Sequence, residues 1–78
     1  MKEYKLINAV NKETKQQTQT KYINDIGIVT IYNDRLMFVP TSESKGNGFI
    51  TSIVVQEIKN EDDLTIETLN SIYYFVSE

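Results

Sequence analysis

The sequence predicts an all-β fold, a small antiparallel β-barrel or strongly curved sheet of six or seven strands built from hairpins. Three observations carry this. β-Branched and aromatic residues cluster in short runs separated by Asn, Asp, Gly and Pro. Two pairs of these runs are joined by two-residue turns whose registers gather apolar side chains on a shared face. Finally, 78 residues with 40% hydrophobic and 24% charged side chains suffice for one core, so residues 1–78 read as a single domain with a thin stability margin.

Residues 4–10 (Tyr-Lys-Leu-Ile-Asn-Ala-Val) open the chain as a strand, and residues 11–14 supply a turn. Residues 15–21 hold no apolar side chain and read either as an edge strand with little to bury or as a loop. Asn24 and Asp25 break the chain before residues 26–32, which are dense in β-formers. The dipeptide Asn33-Asp34 tolerates the positive φ angles of a tight hairpin turn. That turn pairs Ile31 with Leu36 and Val29 with Phe38 on one face, and leaves Thr30, Tyr32, Arg35 and Met37 on the other. Pro40 lacks an amide hydrogen and ends this strand, and residues 41–48 form a polar, glycine-bearing loop of the kind that stays mobile.

Residues 49–58 read as a long strand, 59–63 as an acidic turn and 64–68 as a further strand. With Leu69-Asn70 as the next turn, Ile66 faces Tyr73 and Leu64 faces Phe75, while Thr65, Glu67, Ile72 and Tyr74 take the reverse face. A helix competes for residues 64–77, because Ile66, Leu69, Tyr73 and Val76 recur at helical spacing behind Asp62 or Asp63 as N-cap. The density of β-branched and aromatic residues favours strands.

The composition removes much chemistry. Without cysteine or histidine there is no disulfide, thiolate nucleophile or imidazole base, and the commonest transition-metal ligands are missing. No spacing suggests a Ser-Lys pair. Glu61, Asp62 and Asp63 are consecutive and lack the alternation, central glycine and final glutamate of a calcium loop. Gly46-Asn47-Gly48 is too short to cradle a phosphate and reads as flexible linker. The expectation is therefore a protein that is not an enzyme, with no catalytic residue, cofactor or metal. No apolar run resembles a leader peptide or a membrane span, which together with the lack of cysteine suggests the cytoplasm.

Charge is polarised along the chain. Residues 1–21 carry five lysines against two glutamates, a net +3, whereas residues 22–78 carry three basic against nine acidic residues, a net −6. The expected partner is another protein, including a second copy of the chain, through a surface for which Tyr32, Arg35 and Tyr74 are the candidates: the registers put them off the main core face, and Tyr and Arg are favoured at binding hot spots. Single-stranded nucleic acid on the basic N-terminal third is the alternative, opposed by a sequence pI near 4.8.

Abundant Ile, Asn, Lys and Tyr are the residues that AT-rich codons supply, pointing to a low-GC bacterium or a mobile element. Consistent with that, Ile50-Thr51-Ser52-Ile53-Val54 followed by residues 64–73 resembles hairpins in short, functionally unassigned all-β proteins of phages and plasmids of low-GC Gram-positive bacteria. That resemblance covers roughly a third of the chain and implies a small accessory or modulator protein. Asn33-Asp34-Arg35-Leu36-Met37-Phe38, in a strand pair followed by further hairpins, is similar to the pleckstrin-homology-like domains, which normally close their barrel with a C-terminal helix. The strand reading of residues 64–77 leaves no such helix, and neither resemblance transfers a functional residue.

Overall fold

Asn33 and Asp34 take φ angles of 51° and 63°, the left-handed pair that a two-residue hairpin turn requires and that these two residue types tolerate best. They join β2 (Ile26–Tyr32) to β3 (Arg35–Pro40) with Ile31 opposite Leu36 and Val29 opposite Phe38, as the alternation predicts. The second expected register also forms. β5 (Asp63–Thr68) and β6 (Ser71–Ser77) pair Ile66 with Tyr73 and Leu64 with Phe75. Residues 64–77 are thus a hairpin and not a helix. The Thr68 hydroxyl donates to the Ser71 carbonyl and accepts the Ser71 N–H, both at 3.1 Å, which closes this turn from inside the core.

The computed structural model describes residues 2–78. β1 (Glu3–Asn11) and β4 (Phe49–Lys59) complete six strands in a closed antiparallel barrel, each paired with its sequence neighbours and β6 paired back onto β1. Closure comes from this last pairing, of β6 with β1.

Leu6, Ala9, Leu36, Phe38 and Ile66 are fully buried, and Tyr4, Tyr22, Leu64, Tyr73 and Phe75 nearly so. The rings form a continuous column: Tyr22 on Phe49 at 5.5 Å, Phe49 on Phe38 and Tyr73 at 5.5 and 5.6 Å, Phe38 on Phe75 at 5.8 Å, and Phe75 on Tyr4 at 6.3 Å. Side chains therefore fill the barrel, as is usual for so few strands. Gly27 makes room for this column, since a Cβ there would lie 2.5 Å from the Val39 carbonyl oxygen and 2.8 Å from the Phe38 ring.

The folded chain decides one open reading and changes two others. Residues 15–21 are a loop, not an edge strand, joined to β1 by a single bridge between Val10 and Gln17 and leading into a short 3-10 turn, Thr20–Tyr22. β1 pairs with β2 only over Glu3, Tyr4 and Lys5, and the loop takes up the rest of that edge. The Thr18 N–H donates to the Ala9 carbonyl at 2.8 Å, and the Asn24 N–H to the Leu6 carbonyl at 2.6 Å. The loop then inserts Tyr22 into the core as a lid on the aromatic column.

Residues 46–48 are likewise no free linker. Gly48 has a φ of 83° and sits where any Cβ would overlap the Phe38 carbonyl, and its own carbonyl accepts the Tyr22 hydroxyl at 3.4 Å. Ile31, expected on the core face, is 39% exposed. β1 reaches β2 no further than Ile28, so the tip of the β2–β3 hairpin projects past the barrel wall.

Candidate interaction surface

Because β2 and β3 alternate on either side of their turn and β4 joins β3 through a bulge, the residues that do not enter the core meet on one outer wall. Ile28 pairs with Val39, Thr30 with Met37, and Tyr32 with Arg35. Across the next ladder, Met37 pairs with Ile50 and Arg35 with Ile53. Six apolar or aromatic side chains, Ile28, Tyr32, Met37, Val39, Ile50 and Ile53, are thereby contiguous on three adjacent strands. Tyr32 and Ile50 are each 63% exposed and Val39 44%.

A β-bulge shapes the corner of this wall. The β3–β4 register slips between Arg35 and Met37, so Thr51 and Ser52 together oppose Leu36. The Leu36 N–H donates to the Thr51 hydroxyl at 3.1 Å in place of a ladder carbonyl. The freed Thr51 carbonyl accepts Arg35 Nη1 at 3.0 Å, which draws the guanidinium toward β4, while Tyr32, the cross-strand partner of Arg35 on β2, stays exposed. Tyr32 and Arg35, the sequence-derived candidates on this hairpin, thus stand together at one edge of the apolar wall.

Tyr74 does not join them. It lies on the outer face of β6, half-buried between Asn8 of β1 and Thr65 of β5, and β6 is diametrically opposite β3 in the six-strand ring. Ile28, Met37, Val39, Ile50 and Ile53 belong to the wall but are not among the sequence-derived candidates. The hairpin register does put Met37 on the same face as Tyr32; the residues from β4 lie behind the 41–48 loop and a bulge, which erase the alternation that would have aligned them.

The charges spread differently from their order in the sequence. Lys5, the third residue of β1, and Lys12, just past its last residue, are seven residues apart, about 23 Å at the usual strand rise. Lys12 Nζ pairs with Glu67 Oε2 at 2.6 Å, and Lys45 Nζ lies 3.8 Å from Asp25 Oδ1. The barrel end that carries the Asn33-Asp34 turn also carries the exposed Glu61, Asp62 and Asp63, so acidic surface concentrates there.

No cleft opens among the described residues, and none of their acidic groups assemble in threes to hold a metal ion. Nor is any helix among them long and apolar enough to cross a membrane. Burial pushes the Tyr73 phenol above its ordinary 10.0, partly offset by a hydrogen bond with Ser71, which marks it as a core group. No family model, curated protein or solved structure matches the chain.

Proposed function

We propose that this is a non-catalytic binding protein that docks a protein partner on the outer wall of β2, β3 and β4, as a small accessory or modulator of a bacterial or mobile-element system. The observation that carries the reading is the adjacency of Ile28, Tyr32, Met37, Val39, Ile50 and Ile53 on three neighbouring strands. Single exposed apolar residues need no explanation, but a contiguous group in so small a protein costs solubility and is the usual mark of an interaction site. Aromatic, Met and Arg side chains are enriched at such sites, and Arg35, held by the Thr51 carbonyl, offers a positioned cation on the strand next to that of Tyr32. The low-GC character of the composition is what supports the bacterial or mobile-element setting.

Single-stranded nucleic acid is the competing class. The separation of Lys5 from Lys12 along the barrel, with Lys12 engaged by Glu67 and Lys45 by Asp25, weighs against a continuous phosphate track.

The test is affinity capture from a lysate of the source organism with the native chain and three variants as bait. Ile50→Asp and Tyr32→Ala are expected to lose the captured partner, and Tyr74→Ala to retain it. Capture that is indifferent to Ile50 and Tyr32, or tight single-stranded DNA binding with a steep salt dependence, overturns the reading.

A further inference from the structure

The barrel is closed, yet β4 outruns its neighbour. β3 accompanies β4 only as far as the Arg35–Ile53 pair and the bond from the Val54 N–H to the Asp34 carbonyl, at 2.7 Å. Beyond that, Gln56, Glu57, Ile58 and Lys59 pair with β5 on one side, and among the described residues nothing pairs with their other side. All four are exposed. A free strand edge is a template for another strand.

Hydrogen-bond parity determines which groups face outward. The Asn60 N–H donates to the Asp63 carbonyl at 2.9 Å, so Asn60 bonds across to the β5 side. In an antiparallel ladder bonded and non-bonded residues alternate, so Ile58 also bonds to β5, while Glu57 and Lys59 direct their N–H and C=O groups to the open side. We propose that this edge pairs antiparallel with the same edge of a second copy, on a two-fold axis through Ile58.

The charges select that register. Parity allows a two-fold axis only at a residue position, and an axis at Glu57 or at Lys59 sets like charges face to face. With the axis at Ile58, Glu57 faces the second copy's Lys59 and Lys59 faces the second copy's Glu57. Ile58 meets its own counterpart on the reverse face, and Gln56 meets Asn60. Glu57 and Lys59 are also the residues with free main-chain groups, so the ion pairs and the new backbone hydrogen bonds fall on the same positions. The length agrees as well: Asp34 caps the edge up to Val54, and the second chain reverses at its own 60–62 turn, which leaves residues 56–60 to pair.

The two acidic turns stay far from each other in this arrangement, although each comes to lie near the second copy's Asp34, whose carbonyl caps Val54. Antiparallel pairing sends Glu61 of each copy to opposite ends of the interface, about 20 Å apart and beyond the screening length of about 8–10 Å. An interface of one short strand pair is small, so the dimer is weak and forms at high protein concentration. It uses a different surface from the apolar wall and does not depend on the function proposed for that wall.

Sedimentation equilibrium up to about 1 mM, a range that captures weak contacts, tests the inference together with backbone amide exchange. The native chain is expected to self-associate, with the Glu57 and Lys59 amides gaining protection as concentration rises. Glu57→Lys and Lys59→Glu each replace both attractive pairs by repulsive ones and should weaken association about tenfold or more. The double exchange Glu57→Lys with Lys59→Glu should restore it, and an equimolar mixture of the two single variants should form a mixed dimer. A chain that stays monomeric, or a dimer indifferent to the single exchanges and unrestored by the double one, overturns the proposal. A dimer abolished by Ile50→Asp and insensitive to the exchanges overturns it while leaving the apolar wall as a binding surface.

Discussion

Replacing Ile66 by alanine tests the register that organises the C-terminal half. Ile66 is fully buried in β5 and faces Tyr73, which is 4% exposed. Burial is worth about 0.8 kcal/mol for each of the three carbons removed, or about 2.4 kcal/mol in all. β5 is held by β4 on one side and β6 on the other, so the wall cannot collapse into the space, and the residual cavity adds about 1–2 kcal/mol. The expected loss is therefore about 3.5–4.5 kcal/mol, against a total stability of about 4–12 kcal/mol for a chain of 78 residues. The thermal midpoint should fall by roughly 15–30 °C. Glu67→Ala, one residue on and facing outward, removes the ion pair with Lys12, but those side chains are 30% and 34% exposed. Solvent screening limits that loss to less than about 1 kcal/mol. Urea titration followed by far-ultraviolet circular dichroism measures both variants on one scale. Equal losses at the two positions, or a larger loss at Glu67, would refute the register and with it the placement of β5 against the core.

Other substitutions probe the rest of the frame. Gly27→Ala should destabilise the chain by about 1–3 kcal/mol in the same titration, because its Cβ has only the Val39 carbonyl and the Phe38 ring to move against; an unchanged midpoint would contradict that packing. Asp34→Gly should raise stability by up to about 1 kcal/mol, since glycine relieves the left-handed backbone at φ 63°, and a loss would argue against the turn type. Tyr22→Ala should open the 15–25 loop, detected as faster exchange of the Thr18 and Asn24 amides, with β5–β6 amides protected as before. Because the folded Tyr73 phenol is raised above 10.0 by burial, the folded state holds its proton where the unfolded chain has released it. Stability should be independent of this group below about pH 10 and fall as pH climbs from there through the folded pKa; Tyr73→Phe removes that dependence, and persistence of the same alkaline slope in the variant would assign it elsewhere.

The two local hairpins were legible in the sequence, because a two-residue turn leaves the pairing register no freedom and period-two alternation then sorts the faces. Asn33-Asp34 and Leu69-Asn70 sufficed to pair Val29 with Phe38 and Ile66 with Tyr73, and the absence of histidine and cysteine already bounded the chemistry. What depends on distant segments was decided by the tertiary structure. Closure joins β1 to β6 across most of the chain, Tyr22 reaches the core from a stretch of polar residues, and bulges in β1 and β4 shift the alternation by one residue. An outward Ile50 and an inward Ile66 are the same side chain in the same kind of run. Only the folded barrel gives one of them a neighbour on every side and leaves the other facing water, which is why the candidate surface appears in three dimensions and the core hairpins appear in one.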